Sequence, residues 1–424
     1  MNIYDELSWR GLVHQASDEA GLREHLDTPG RVLYCGFDPT ADSLHIGNLV
    51  PLLALARFAK AGHKPLFLLG GATGLIGDPS GKDKERQLKT AGLVAASAEK
   101  IKSQAMAFFA RLGVDGDVMP VNNLDWTRPL SVIDFLRDTG KHFTINYMMA
   151  KDSVKSRIGR EETGISYTEF SYMILQSLDF EHLNRALGCT LQIGGGDQFG
   201  NITAGLELIR RKTGNQAFAL TFPLITTATG AKFGKSEKGA VYLNPELTSP
   251  YAFYQYWINA DDRDVVDYLR YFTFLPREEI EALAAQTAAE PHLRAAQKRL
   301  ARETTAMIHG EAELAKVEAV TGALFGGGDL AEVDPKTLKA ALEAAPGLSF
   351  SALADVPPLP KLLADMGLCP SNSQARKDIK AGAVSINNVR VTVEDRALAA
   401  ADFLGGDLLI LRKGKKHYGV VTLG

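Results

Sequence analysis

Residues 32–48, Val-Leu-Tyr-Cys-Gly-Phe-Asp-Pro-Thr-Ala-Asp-Ser-Leu-His-Ile-Gly-Asn, restrict the fold of this chain more than any other stretch. Val32 to Phe37 is a short run of β-branched, aliphatic and aromatic residues halted by Asp38-Pro39, the pattern of a buried strand. From Asn48 onward Leu49, Leu52, Leu53, Leu55, Ala56 and Phe58 recur at helical spacing as far as Ala61-Gly62. Pro51 falls in the first turn of that helix, where its missing N–H costs little. The segment is a strand, a loop and a helix mouth. His45 and Gly47 stand where unpaired amides and the positive end of the helix dipole collect, a natural place for phosphate. Taken alone, the stretch also fits an ordinary helix entry with one surface histidine.

The same grammar returns along the chain. A strand from Pro65 to Leu69 runs into Gly70-Gly71-Ala72-Thr73-Gly74-Leu75-Ile76-Gly77-Asp78-Pro79-Ser80-Gly81-Lys82. A helix from about Ala91 to Leu112, a strand near Val118 to Val121, and helical patterns over 130–150 and 166–187 follow. Leu191-Gln192-Ile193 opens into Gly194-Gly195-Gly196-Asp197-Gln198-Phe199-Gly200-Asn201 before a helix ending at Arg210-Arg211-Lys212. Strands alternating with helices predict an α/β fold: a parallel sheet covered on both faces, with ligands at the carboxyl ends of its strands. From Pro250 to about Gly322 the chain is Ala-, Glu- and Arg-rich and reads as a small all-helical domain. An irregular connector then leads to Pro357-Pro358-Leu359-Pro360. Short helices near Lys361–Met366 and Ser373–Ala381, with strands at Val384–Ile386, Val389–Val393 and Leu408–Leu411, make a small α+β tail. The expected division is 1–247, 248–324, a connector over 325–356, and 357–424.

With 424 residues, 45% hydrophobic and 23% charged, the chain has ample material for several cored domains. No apolar run approaches the roughly 18 to 20 residues that span a bilayer. Asp5, Glu6, Asp18 and Glu19 are wrong for a signal or transit peptide, so a cytoplasmic protein is expected. Cys35, Cys189 and Cys369 are far apart and lack metal-ligand spacing, so no protein-bound metal is expected. Residues 357–424 hold 10 Lys and Arg against 6 Asp and Glu, leaving 37 against 44 in the remainder. The basic end is the expected nucleic-acid face, although a solvated surface has the same composition.

Two glycine–lysine motifs invite comparison with a nucleotide-binding P-loop, and neither fits. Gly77 to Lys82 is one residue short, and Thr229 stands where the first glycine before Gly234-Lys235-Ser236 belongs. Lys232-Phe233-Gly234-Lys235-Ser236 instead offers two ammonium groups on a glycine-softened loop, suited to moving onto a phosphate chain, or else a solvated basic turn. In the helix from Tyr167 to Leu183, Tyr172, Gln176 and Asp179 fall at i, i+4 and i+7 among Phe170, Met173, Ile174, Leu175, Leu178 and Phe180. The three polar groups share one face, which lines a polar cavity or else forms an exposed stripe.

His45-Ile46-Gly47-Asn48 resembles the His-Ile-Gly-His signature of class I aminoacyl-tRNA synthetases, with Asn48 in place of the last His. Lys232 to Ser236 resembles their Lys-Met-Ser-Lys-Ser signature in the Lys-Phe-Gly-Lys form of tyrosyl enzymes. Residues 362–367 and 373–387 resemble the small RNA-binding module shared with a ribosomal small-subunit protein. The chain is therefore similar over essentially its full length to the tyrosyl-tRNA synthetase family. That resemblance implies a Rossmann-like catalytic domain, a helical tRNA-binding domain and a C-terminal RNA-binding domain. The implied activity is activation of L-tyrosine by ATP with Mg²⁺, followed by transfer to tRNA by a homodimer.

By the same resemblance Tyr172, Gln176 and Asp78 hold the α-ammonium group, while Asp179 and Tyr34 bond the phenol. Cys35, Gly36 and Asp38 lie near the adenylate, Cys35 being equally readable as packing. Asn48 offers a donor to phosphate or ribose, and Gly195, Asp197 and Gln198 reach the ribose end. Thr40 and His45 meet the γ-phosphate, Lys82 and Arg86 wrap the pyrophosphate, and Lys232 and Lys235 close onto it. Arg210, Arg211, Lys212, Arg376, Lys377 and Lys380 are the candidate tRNA contacts. Two competitors are a tryptophanyl synthetase and a synthetase-derived RNA-binding or splicing protein.

Overall fold

A computed structural model describes residues 2–80, 88–155, 164–230, 233–236, 239–326, 328–343, 345–414 and 417–424 of the chain. The chain forms two compact units, one of Met1–Leu247 with Asn259–Leu300 and one of Thr248–Ile258 with Ala301–Gly424. The first is built on a six-stranded sheet: β1 Gln15–Ala16, β2 Val32–Phe37, β3 Lys64–Leu69, β4 Met119–Asn122, β5 Cys189–Gly195 and β6 Phe218–Phe222. Their order is β1-β6-β5-β2-β3-β4, parallel throughout except for β1, which runs antiparallel to β6. The chain winds from β2 through β3 to β4, then crosses to the other side of β2 for β5 and β6. Loops leaving β2 and β5 therefore part, opening a crevice at the carboxyl ends.

Burial on both faces explains why these strands read as continuous apolar runs. Leu33, Tyr34, Cys35 and Phe37 of β2 and every residue of β6 are buried. Phe37 stacks on Phe67 at 4.6 Å, and Phe67 meets Phe109 edge-on at 6.1 Å, joining the sheet to the helix Ala91–Arg111. The helix Tyr167–Leu187 starts at Ser166, whose hydroxyl accepts from the Glu169 amide at 3.3 Å, and stops at Gly188 in the left-handed region. Phe180 on that helix lies against Gly205 of the helix Phe199–Thr213, where a Cβ would come within 3.1 Å of its ring. The pattern over 130–150 is broken into short turns, including Val132–Asp134, Phe135–Thr139 and Ile145–Met149.

A two-stranded ribbon, β7 Lys235–Ser236 and β8 Gly239–Ala240, follows in the first unit. The second unit carries a five-stranded sheet in the order β11-β10-β12-β13-β9. Its strands are β9 Gly347–Phe350, β10 Val384–Ile386, β11 Val389–Val391, β12 Leu408–Lys413 and β13 His417–Leu423. β9, from the segment read as a connector, is an edge strand parallel to β13. Asn387 and Asn388, with φ of +46° and +66°, make the two-residue turn between β10 and β11, the conformation such tight hairpins need. Helices Leu359–Asp365 and Asn372–Lys380 close a core that includes Leu362, Leu363, Ile379, Val384, Leu409 and Val421. Each such side chain contributes about 1.5–3 kcal/mol by leaving water. No helix among the described residues is long and apolar enough to cross a membrane.

Candidate active site

A cavity of about 230 Å³ opens at the carboxyl ends of β2 and β5. Its lining includes Tyr34, Cys35, Gly36, Asp38, Thr40, His45, Asn48, Asp78, Tyr172, Gln176, Asp179, Gly195, Asp197 and Gln198. The structure thus gathers at one place candidates separated by up to about 160 residues in the chain. Lys82, Arg86 and Lys232 lie outside the described residues, and Lys235 is described only through its backbone in β7.

At the deep end the polar face of Tyr167–Leu187 is buried, with Tyr172, Gln176 and Asp179 only 6%, 9% and 2% exposed. The exposed-stripe alternative is thereby excluded. Asp179 Oδ2 accepts from Asn123 Nδ2 at 2.9 Å and Oδ1 from the Trp126 indole at 2.8 Å. Burial pushes its carboxyl up to about 7, against the pull of those two donors. The Tyr34 hydroxyl stands near it, fully buried and without a hydrogen-bond partner. Burial, with the nearby Asp179, raises the phenol well above its usual range. Gln192, beside Tyr34 in the β2–β5 register, likewise buries an unpartnered Oε1 in the cavity wall. Buried polar atoms without partners are rare, and these two are offered to whatever fills the cavity. Burial also pushes the Cys35 thiol up to about 12, so Cys35 lines the wall as a neutral group.

The middle of the cavity is acidic. Asp38 accepts from Tyr172 Oη at 2.9 Å and Thr73 Oγ1 at 2.6 Å. Asp78 accepts from Gln198 Nε2 at 2.6 Å and the Ser80 amide at 2.9 Å, while Gln176 Oε1 accepts from Asn201 Nδ2 at 3.1 Å. Two carboxylates and an amide oxygen suit a cation such as an ammonium group.

At the mouth, His45 begins the helical turn Ile46–Asn48 that continues into the helix Leu49–Lys60. Its Nδ1 accepts from the Gly47 amide at 3.0 Å, which leaves the neutral ring's proton on Nε2. A Cβ on Gly47 would lie 2.7 Å from His45 Cε1, so only glycine leaves the ring its place. Asn48 Oδ1 accepts from the His45 amide at 3.0 Å, completing a reciprocal cap. Asn48 therefore fixes the backbone that carries His45. The lysine loop runs alongside: Ile46 donates to the Val241 carbonyl at 3.0 Å, and a Cβ on Gly234 would sit 3.3 Å from Ile46 Cγ1.

The basic candidates are not gathered in this way. Arg210 and Arg211 pair with Glu207, and Lys212 lies 3.3 Å from buried Glu181. Arg376 and Lys377 are exposed on the helix Asn372–Lys380, and Lys380 is held by Glu394 at 2.6 Å. Asn123, Trp126, Thr73, Gln192 and Asn201 were not anticipated. The signal available for two of them was a polar residue immediately after a strand or within an apolar one: Asn123 after β4 and Gln192 inside β5.

A doubly wound sheet with a histidine-bearing helix mouth at its crossover is the architecture of a class I aminoacyl-tRNA synthetase. A family model described as tRNA synthetases class I (W and Y) matches residues 29–326, and one described as a tyrosine–tRNA ligase SYY-like C-terminal domain matches 338–421. Tyrosine–tRNA ligase 1 of Bacillus licheniformis is 53% identical over 422 residues, covering 99% of both chains, and tyrosine–tRNA ligase 1 of Bacillus subtilis is 52% identical over 423, again covering 99% of each. A C-terminally truncated mitochondrial tyrosyl-tRNA synthetase of Aspergillus nidulans superposes with a TM-score of 0.70 at 30% identity, over 76% of this chain and 94% of that one. The chain belongs to the tyrosine–tRNA ligase family and is an aminoacyl-tRNA ligase.

Proposed function

We propose that the cavity binds L-tyrosine and the α-phosphate end of ATP, forms tyrosyl-adenylate, and passes the tyrosyl group to the 3′ end of a tRNA. The observation that carries this reading is the buried, unpartnered Tyr34 hydroxyl beside Asp179, at the opposite end of one strand–loop–helix from His45. A phenol O–H donates to Asp179 and accepts from Tyr34. Asp78, Gln176 and the Tyr172–Asp38 pair receive the ammonium group, and the tyrosine carboxylate then faces the α-phosphate. One carboxylate oxygen attacks phosphorus as the bond to pyrophosphate breaks. A tRNA ribose hydroxyl later attacks the acyl carbon and AMP departs.

No protein nucleophile is needed, so catalysis lies in positioning and in stabilising the departing charge. His45 Nε2–H and Thr40 meet the phosphate chain at the helix mouth, with Lys82, Arg86, Lys232 and Lys235 as its cations. Cys35, Gly36 and Asp38 flank the adenylate, and Gly195, Asp197 and Gln198 the ribose. Mg²⁺ enters as part of the ATP substrate.

The functional division assigns 1–247 to catalysis, 248–324 to a helical tRNA-binding part, 325–356 to a connector and 357–424 to RNA binding, with β9 joining the tail's sheet. Exposed Val132, Ile133 and Ile145, at 72%, 68% and 60%, support a homodimer. Unpaired cysteines accord with the reducing cytoplasm, where ATP and tRNA are met. ATP–pyrophosphate exchange across the twenty amino acids tests the reading: tyrosine alone is expected to support exchange, and tryptophan doing so would overturn it.

A further inference from the structure

Trp126, from the short helix Leu124–Thr127, is the group that ties down Oδ1 of Asp179, at 2.8 Å. An indole has a single N–H lying in its ring plane, so the direction of that bond is set by how the ring is held. One part of the hold is the apolar cluster of Tyr34, Leu66 and Phe180, against which Trp126 is partly buried. The other is His182, whose imidazole stacks on the indole with centroids 4.6 Å apart and planes 15° from parallel. His182 lies on the helix Tyr167–Leu187, three residues beyond Asp179. One helix thus supplies both the carboxylate and the ring that orients the carboxylate's donor. Burial, then Arg185, keeps the imidazole below its ordinary range, so the stack is of two neutral rings.

We propose that His182 is a positioning residue for amino-acid selection: by stacking on Trp126 it aims the indole N–H at Asp179 and keeps that carboxylate turned toward the substrate's phenol. Without the stack the indole is free to tilt and Asp179 to rotate away from the hydroxyl. Tyrosine then loses part of its advantage over phenylalanine, while the phosphate end of the cavity is untouched. The inference rests on the reading of Asp179 as the phenol's partner.

The test compares His182→Phe, which keeps an aromatic face, with His182→Gln, which keeps bulk and polarity without one. Full-length enzyme is assayed by pyrophosphate exchange with tyrosine and with phenylalanine, and the ratio of kcat/KM values is read. The two substrates are compared on one sample, so a loss of folded enzyme cancels. His182→Gln is expected to lower the ratio roughly three- to tenfold, the scale of one aromatic pair, with KM for ATP unchanged. His182→Phe is expected to retain it. An unchanged ratio in His182→Gln, or an equal loss in both variants, overturns the proposal. Asp179→Asn separates the two levels: if it too leaves the ratio unchanged, the reading of Asp179 fails. If it lowers the ratio while His182→Gln does not, only the role of His182 fails.

Discussion

Replacing Tyr34 by phenylalanine has opposite expected effects on the empty protein and on its choice of substrate. The hydroxyl is buried, the residue 1% exposed, and no group in the fold receives it. An unmet buried hydroxyl costs about 1–3 kcal/mol, so its removal is expected to stabilise the ligand-free chain by about 1 kcal/mol. The ring remains, still edge-on to Phe180 at 5.3 Å, so no large cavity offsets the gain. For the substrate the change removes one neutral hydrogen bond to the phenol, about 0.5–1.5 kcal/mol, which lowers the preference for tyrosine over phenylalanine by about two- to tenfold. The loss stays within that range because Asp179 is still present. Thermal unfolding of the unliganded protein gives the first quantity, as a rise of a degree or two. The ratio of kcat/KM for the two amino acids in pyrophosphate exchange gives the second. A lower unfolding temperature with an unaltered ratio would refute the reasoning, since the hydroxyl would then have a partner within the fold.

Three further expectations follow from other parts of the site. Asp179, raised from 3.8 to about 7 by burial, favours its proton when phenylalanine leaves it without a donor, so selectivity for tyrosine should climb as pH rises through about 7. In the free protein the folded state holds that proton more tightly than the unfolded chain, so stability should fall as pH rises between those values. Asp179→Asn should abolish both dependences; a profile unchanged by it would reassign them. Gly47→Ala should slow adenylation roughly ten- to a hundredfold with little change in tyrosine affinity, because the added Cβ lies 2.7 Å from His45 Cε1 and displaces the ring; stopped-flow kinetics and tyrosine titration check it. Arg376→Ala and Lys377→Ala should weaken tRNA charging several-fold and flatten its salt dependence, whereas Lys380→Ala, already held by Glu394, should do less; equal effects would show that the ion pair opens on binding.

The parts of the fold that were legible are those in which local chemistry and tertiary environment agree. β2 ends at Phe37 because Asp38-Pro39 cannot extend a central strand, and that boundary needs no knowledge of its neighbours. β9 and β13 went unread for the opposite reason. Gly347 to Phe350 becomes a strand by pairing with residues 420–423, far along the chain, and four half-exposed residues carry little periodicity of their own. The 130–150 segment has helical spacing, yet it breaks into short turns around Gly140, and Phe135, Phe143 and Tyr147 pack from those turns against the cluster of Met148, Met173, Ile174 and Ala204, a tertiary preference that local spacing does not carry.

The site divides along a similar line. Which residues line it could be read, because a parallel sheet sends its carboxyl-end loops to one place. Which residue satisfies which could not, because the partners of Asp179 come from 53 and 56 residues away and depend on ring planes and rotamers. Asn48 shows how the two levels differ. In place of a histidine it raises the question of a missing charge toward phosphate. In the fold its Oδ1 accepts from the His45 amide, three residues back, so it acts through the backbone of the helix mouth. Histidine at that position could present Nδ1 to the same amide, and the substitution then exchanges one acceptor for another. The cap geometry thus gives residue 48 a part in holding the His45 backbone that does not depend on its charge.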